Sequence, residues 1–95
     1  MKQPHRAPEG AKIRKLALSE SVEILFTCDE KLRKQDIWRQ DALSALRTSN
    51  VVKSEKDSRG WCRTIRGFDR DEGEIFLVVT VDQEQRLITV LDGWR

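Results

Sequence analysis

Glu74-Ile75-Phe76-Leu77-Val78-Val79-Thr80-Val81 follows Trp61-Cys62-Arg63-Thr64-Ile65-Arg66-Gly67-Phe68 across one turn cluster, Asp69-Arg70-Asp71-Glu72-Gly73. Both segments are rich in β-branched and aromatic residues, and the Asp- and Gly-rich link suits a tight reversal, so the pair predicts an antiparallel hairpin. Ile75 to Val79 is apolar at every position, which places that strand in the middle of a sheet. With a period of two, Ile75, Leu77 and Val79 face the core while Phe76 and Val78 face the other side.

Downstream, Asp82 to Gln85 predicts a turn and Arg86 to Leu91 a further strand. Upstream, Val51-Val52 begins a strand, and Lys53 to Gly60 is a charged connection. Before Asn50 the hydrophobic period changes to 3.6. Trp38, Ala42, Ala45 and Leu46, joined by Leu43, form one stripe and predict a helix from Trp38 to Thr48 with Asn50 as its stop and Trp38 in the core. Asp29 caps a helical turn running through Gln35, with Leu32 facing inward. Val22 to Thr27 is rich in β-formers and predicts a short strand. Ile13, Leu16 and Ala17 mark an amphipathic helix from Ala11 to about Ser21. Pro4, Pro8 and Gly10 make residues 1–10 a flexible basic leader. The expected fold is therefore a single α+β domain over residues 11–95: N-terminal helices followed by a twisted antiparallel sheet of roughly four strands.

Composition limits the function classes. The chain has 95 residues, 38% of them hydrophobic and 36% charged, against roughly 25% charged in an average globular chain. One small core with a heavily solvated surface follows. The longest apolar run has 5 residues, whereas a membrane helix needs about 20, and no apolar signal segment follows the basic N-terminus. A cytoplasmic protein without membrane contact is expected. Net charge is +2, but residues 1–19 hold five basic groups against Glu9 alone. The leader is thus either a solubilising tail or a binding arm, and nucleic-acid contact elsewhere needs a local patch. Cys28 and Cys62 lack metal-ligand spacing, and His5 is the single histidine. A disulfide scaffold, a His metal cluster and a Ser-His-Asp relay are excluded, and no metal or cofactor is expected.

The unusual feature is a run of arginines on the expected Trp61 to Phe68 strand and its flanks: Arg59, Arg63, Arg66 and Arg70. On a strand, Arg63 shares a face with Trp61 and Ile65, and Arg66 shares the other with Cys62, Thr64 and Phe68. At least one of the two lies on a face that helices do not cover, where a guanidinium can hold phosphate through two parallel hydrogen bonds. Trp61 and Trp94 either stack on bases or close the edge of the core. Arg59, Trp61, Arg63 and Arg66 are the nucleic-acid-binding candidates, set against the neighbouring Asp69, Asp71, Glu72 and Glu74, which can neutralise the patch by ordinary pairing.

Between Glu23 and Leu91 the chain resembles a small, uncharacterised bacterial family related to the RelE/ParE toxin fold. The resemblance rests on Lys31-Leu32 and Asp36-Ile37 at a helix and turn, Ala42 to Leu46 on a helix, and Arg66-Gly67 ending a strand. It continues with Glu74 to Val81 as an apolar strand and Leu87-Ile88-Thr89-Val90 at the close. The chain departs from the family at Thr27, where a histidine is common, and at Gln35, where a basic residue is common. The resemblance implies a toxin-like component of a toxin–antitoxin pair, with a cognate antitoxin as partner and messenger RNA or the ribosome as target. Without the histidine, metal-independent RNA cleavage would rest on cations that orient the ribose hydroxyl and stabilise the phosphorane. Lys31, Arg33, Arg63 and Arg66 are the catalytic candidates by type and location. The other reading is a non-catalytic domain that keeps the fold and binds a protein partner. A third is a nucleic-acid-binding accessory protein that uses the basic leader.

Overall fold

A computed structural model describes residues 8–58, 60–82, 84 and 86–95. The order of elements is α1 (Pro8–Leu18), β1 (Val22–Ile24), α2 (Phe26–Lys34), α3 (Arg39–Arg47), β2 (Asn50–Asp57), β3 (Gly60–Phe68), β4 (Glu74–Val81) and β5 (Ile88–Trp94). Among the described residues the fold is α+β, with three helices and one five-stranded sheet in the order β1-β5-β4-β3-β2. From β2 to β5 every pairing is antiparallel. β1 pairs parallel with β5, Val22 opposite Ile88 and Ile24 opposite Val90. The expected sheet of four antiparallel strands is corrected here to a mixed sheet of five. The parallel pairing is reached because β1 precedes two helices, whose length carries the chain across the sheet before β2 begins.

β4 is the middle strand, as its two-sided apolar run predicts. Ile75, Leu77 and Val79 are buried in the core, and Phe76 and Val78 lie partly exposed on the opposite face. The helices supply Ile13, Ala17, Leu32, Ala42, Ala45 and Leu46 to the same core. β3 comes close to α3: a Cβ on Gly67 would lie 1.9 Å from the Ala45 carbonyl oxygen. Only a residue without a side chain allows that approach.

Several boundaries differ from the sequence reading. α1 begins at Pro8, inside the segment read as leader, and ends at Leu18; residues 1–7, with His5, lie outside the described residues. The strand read over Val22 to Thr27 ends at Ile24, because Phe26 and Thr27 open α2. The N-cap of α2 is Leu25 rather than Asp29, and Asp29 instead pairs with Arg33 one turn on, at 3.0 Å. Trp38 precedes α3 as its N-cap residue and is 51% exposed, so it does not belong to the core. Its backbone N–H donates to Asp41 and its indole N–H to Asp36, each at 3.0 Å. Asn50 starts β2 instead of stopping the helix, and the charged stretch read as a connection is strand through Asp57. This edge strand pairs only with β3 and carries a bulge at Val52. A charged, bulged edge resists pairing with other chains. β5 starts and ends later than expected, running from Ile88 to Trp94 with a bulge at Leu91. Cys28 and Cys62 are not joined by a disulfide.

Candidate functional site

The helices pack against the sheet face that carries Ile65, Ile75, Leu77, Val79, Ile88 and Val90. The opposite face has no helix on it among the described residues and presents two aligned rows. One is Arg66, Phe76 and Trp94, and the next is Thr64, Val78 and Asp92. Neighbouring strands lie about 4.8 Å apart, so each row spans about 10 Å of backbone. The Phe76 and Trp94 rings stack with centroids 5.8 Å apart and planes 15° from parallel. Phe68, two residues along from Arg66, has that guanidinium carbon 5.3 Å from its ring centre. Three rings and one arginine therefore share an accessible surface on three adjacent strands.

The cations predicted from sequence do not all converge there. Arg66 lies on this open face and ion-pairs with Glu74 across the hairpin. Lys31 reaches the same face from α2, its ammonium donating to Asp92 at 2.5 Å. Arg33 is on α2 beside Trp38, its guanidinium carbon 5.9 Å from the ring centre and its Nη2 on Asp29. Arg63 lies on the helix-facing side of β3 with Trp61, at 5.3 Å from the ring centre. As a catalytic set, Lys31, Arg33, Arg63 and Arg66 are divided between the two faces, because β3 places side chains three positions apart on opposite sides. Trp61 is 48% exposed and accompanies Arg63, not Arg66. Arg59 lies outside the described residues.

Both ion pairs on the open face are roughly half exposed. Such pairs contribute about 0–1 kcal/mol each, so either cation can exchange its carboxylate for another anion at little cost. The Lys31 hydrogen bond is the main reason the Asp92 carboxyl is held below the usual carboxylate range. Burial raises the Cys28 thiol above its ordinary value, with the nearby Asp92 charge adding to the effect. Among the described residues no cluster of three or more His, Cys, Asp or Glu stands ready for a metal. The arrangement suits binding through rings and exchangeable cations.

A second polar centre was not apparent from sequence. Asp69 is almost fully buried at the β3–β4 turn; its Oδ1 accepts the backbone N–H groups of Asp71 and Gly73, and its Oδ2 accepts Arg95 Nη1 at 2.8 Å. Arg95 also donates to the backbone carbonyls of Gln35 and Asp36, between α2 and α3. One guanidinium thus ties the hairpin turn, the end of β5 and the helix–helix link together. The Arg95 and backbone donors hold the Asp69 carboxyl below its ordinary value. The Asp-x-Asp-x-Gly spacing is the signal for the turn half of this centre, since an Asp side chain commonly accepts from backbone two residues on. Nothing local points to Arg95.

These two lowered carboxylates contribute to the acid limb of stability. Their contribution is fully present above the unfolded value near pH 4 and disappears as pH falls through the lower folded values. Circular dichroism between about pH 7 and 2 should show stability falling below about pH 4, with a shallower fall in the Asp69→Asn, Asp92→Asn double variant. An identical slope in both proteins would assign acid unfolding to other groups.

Comparison with protein-family models, curated proteins and solved structures found no match. Among the described residues no helix is long and apolar enough to cross a membrane.

Proposed function

We propose that the protein binds single-stranded RNA on its open sheet face, as the toxin-like component of a toxin–antitoxin pair. The observation that supports this reading is the placement of Phe68, Phe76 and Trp94 with Arg66 on one accessible face of three adjacent strands. Sheets that present aromatic rings in this way stack unpaired bases, and each stacked base contributes about 1–3 kcal/mol. Arg66 and Lys31 would meet the phosphates once released from Glu74 and Asp92. Endoribonuclease activity, in this reading, depends on those two cations and not on Arg63 or Arg33.

The test is fluorescence anisotropy with a short unstructured RNA, alongside RNA cleavage with and without ribosomes. Trp94→Ala and Arg66→Ala should each weaken binding by about tenfold, Arg66→Lys should recover part of the loss because it keeps charge without the planar fork, and Arg63→Ala should leave binding within about twofold. Equal losses in the Arg63 and Arg66 variants would break the assignment to one face. Absence of RNA binding by the unmutated protein would favour a second reading, a non-catalytic domain that holds a partner protein on the same face. The pairing of Lys31 with Asp92 and Arg66 with Glu74 favours that alternative, since it leaves the face charge-balanced around an apolar centre.

A further inference from the structure

A cleft of about 460 Å³ runs beside α3, lined by Gln40, Leu43, Arg47 and Thr48 of that segment, Glu20 of the α1–β1 turn and Arg70 of the β3–β4 turn. Its volume is within the range of sites that hold small ligands or peptide segments. Positions 40, 43 and 47 form one stripe of the helix. Leu43, almost fully buried, gives the cleft an apolar floor.

Both arginines retain donor capacity. Arg70 approaches Asp41 at 3.9 Å, and Arg47 Nη2 approaches Glu20 at 3.8 Å; both distances exceed hydrogen-bonding range. Arg47 uses its Nε on the Ala17 carbonyl, at 3.3 Å, which fixes the side chain while leaving its outer nitrogens available. Asp41 accepts the Trp38 N–H through Oδ2 and faces Arg70 with Oδ1. Arg70 therefore stands near the first turn of the helix and Arg47 in the last. The six-residue step from Asp41 to Arg47 corresponds to about 9 Å along the axis.

We infer that this cleft binds an acidic, extended segment of a partner protein, with two carboxylates held by Arg47 and Arg70. In a polyproline-type conformation, residues three apart fall on the same side of the chain about 9 Å apart, close to the helix rise between Asp41, which Arg70 approaches, and Arg47. That conformation leaves its backbone groups unpaired, and Gln40 offers polar atoms along the cleft. RNA fits less well. Among the described residues no aromatic ring lines the cleft to stack a base. The cleft and the open sheet face are on different sides of the molecule, so this inference stands or falls apart from the RNA reading.

The experiment is a ¹⁵N–¹H NMR titration of the full chain with a capped Pro-Glu-Pro-Pro-Glu-Pro peptide, the same peptide carrying glutamine at both acidic positions, and an RNA hexamer. The acidic peptide should shift the amides of Leu43, Ser44, Arg47 and Arg70, with affinity falling as salt is raised. The glutamine peptide and the Arg47→Ala, Arg70→Ala double variant should each bind about tenfold more weakly. Arg70→Ala alone, which loses only a long contact in an exposed turn, should weaken binding severalfold while keeping the folded spectrum. Equal binding of both peptides, an unchanged affinity in Arg70→Ala, shifts confined to other residues, or stronger perturbation of the cleft by RNA would each overturn the inference.

Discussion

Replacing Gly67 by alanine is expected to destabilise the protein by about 3 kcal/mol or more, because overpacking against backbone has no flexible side chain to absorb it. The added Cβ would meet three atoms of Ala45, its carbonyl oxygen at 1.9 Å, its carbonyl carbon at 2.6 Å and its Cα at 2.8 Å. Relief requires α3 to move off β3 as a body, which opens the contact between Ala45, Leu46 and the buried Ile65. Thermal unfolding followed by circular dichroism should show a midpoint lowered by about 12 °C or more. A loss below about 1 kcal/mol would mean that the helix can slide without disturbing the core.

The second large effect is expected at Leu77. It is fully buried on the middle strand, between Ile65 of β3 and Gly93 of β5 in register. Leu77→Ala should cost about 2–5 kcal/mol, since the cavity is enclosed by sheet on two sides and helices above. Leu77 also fills the space that Gly93 leaves: a Cβ on Gly93 would lie 2.6 Å from Leu77 Cδ2 and 2.7 Å from Leu32 Cδ2. Gly93→Ala should therefore harm the wild-type protein more than it harms Leu77→Ala, a non-additivity measurable by urea unfolding of the two single variants and the double variant. Strict additivity, or a loss from Leu77→Ala below about 1 kcal/mol, would place the strand at a loosely packed edge.

What was legible in the sequence follows from where burial is periodic. β4 and the hairpin to β3 were read with nearly correct limits because Ile65, Ile75, Leu77 and Val79 impose the period of the pleat. α3 was recognisable from Ala42, Ala45 and Leu46, yet its stripe misplaced Trp38, which lies one residue before the helix and turns outward to reach Asp36. β2 was missed from Lys53 to Asp57 because an edge strand held by backbone pairing to β3 needs no apolar alternation. The parallel pairing of Val22–Ile24 with Ile88–Val90 left no local trace, since register between distant segments is set by the assembled core. At the candidate site, the opposite orientation of Arg63 and Arg66 followed from strand period alone. The joining of Phe76 to Trp94, and of Lys31 to Asp92, required the strand order. Arg95 gathers Asp69, Gln35 and Asp36 from three parts of the chain, and no spacing rule anticipates that.

The parallel strand pair also constrains how the protein comes into being. Val22 and its partner Ile88 are separated by 66 positions, so at about 5–20 residues per second a ribosome needs roughly 3–13 seconds to deliver the second strand after the first. During that interval β1 has no neighbour, β4 lacks one side of its pairing, and the apolar faces of the helices have only a partial sheet to cover. The nascent chain is expected to remain open to chaperones and proteases until its final strand emerges, and then to complete its fold in a single late step. A chain stalled between Val81 and Ile88 should be protease-sensitive, whereas the 95-residue chain held on the ribosome by an added C-terminal linker long enough to carry β5 outside should be resistant.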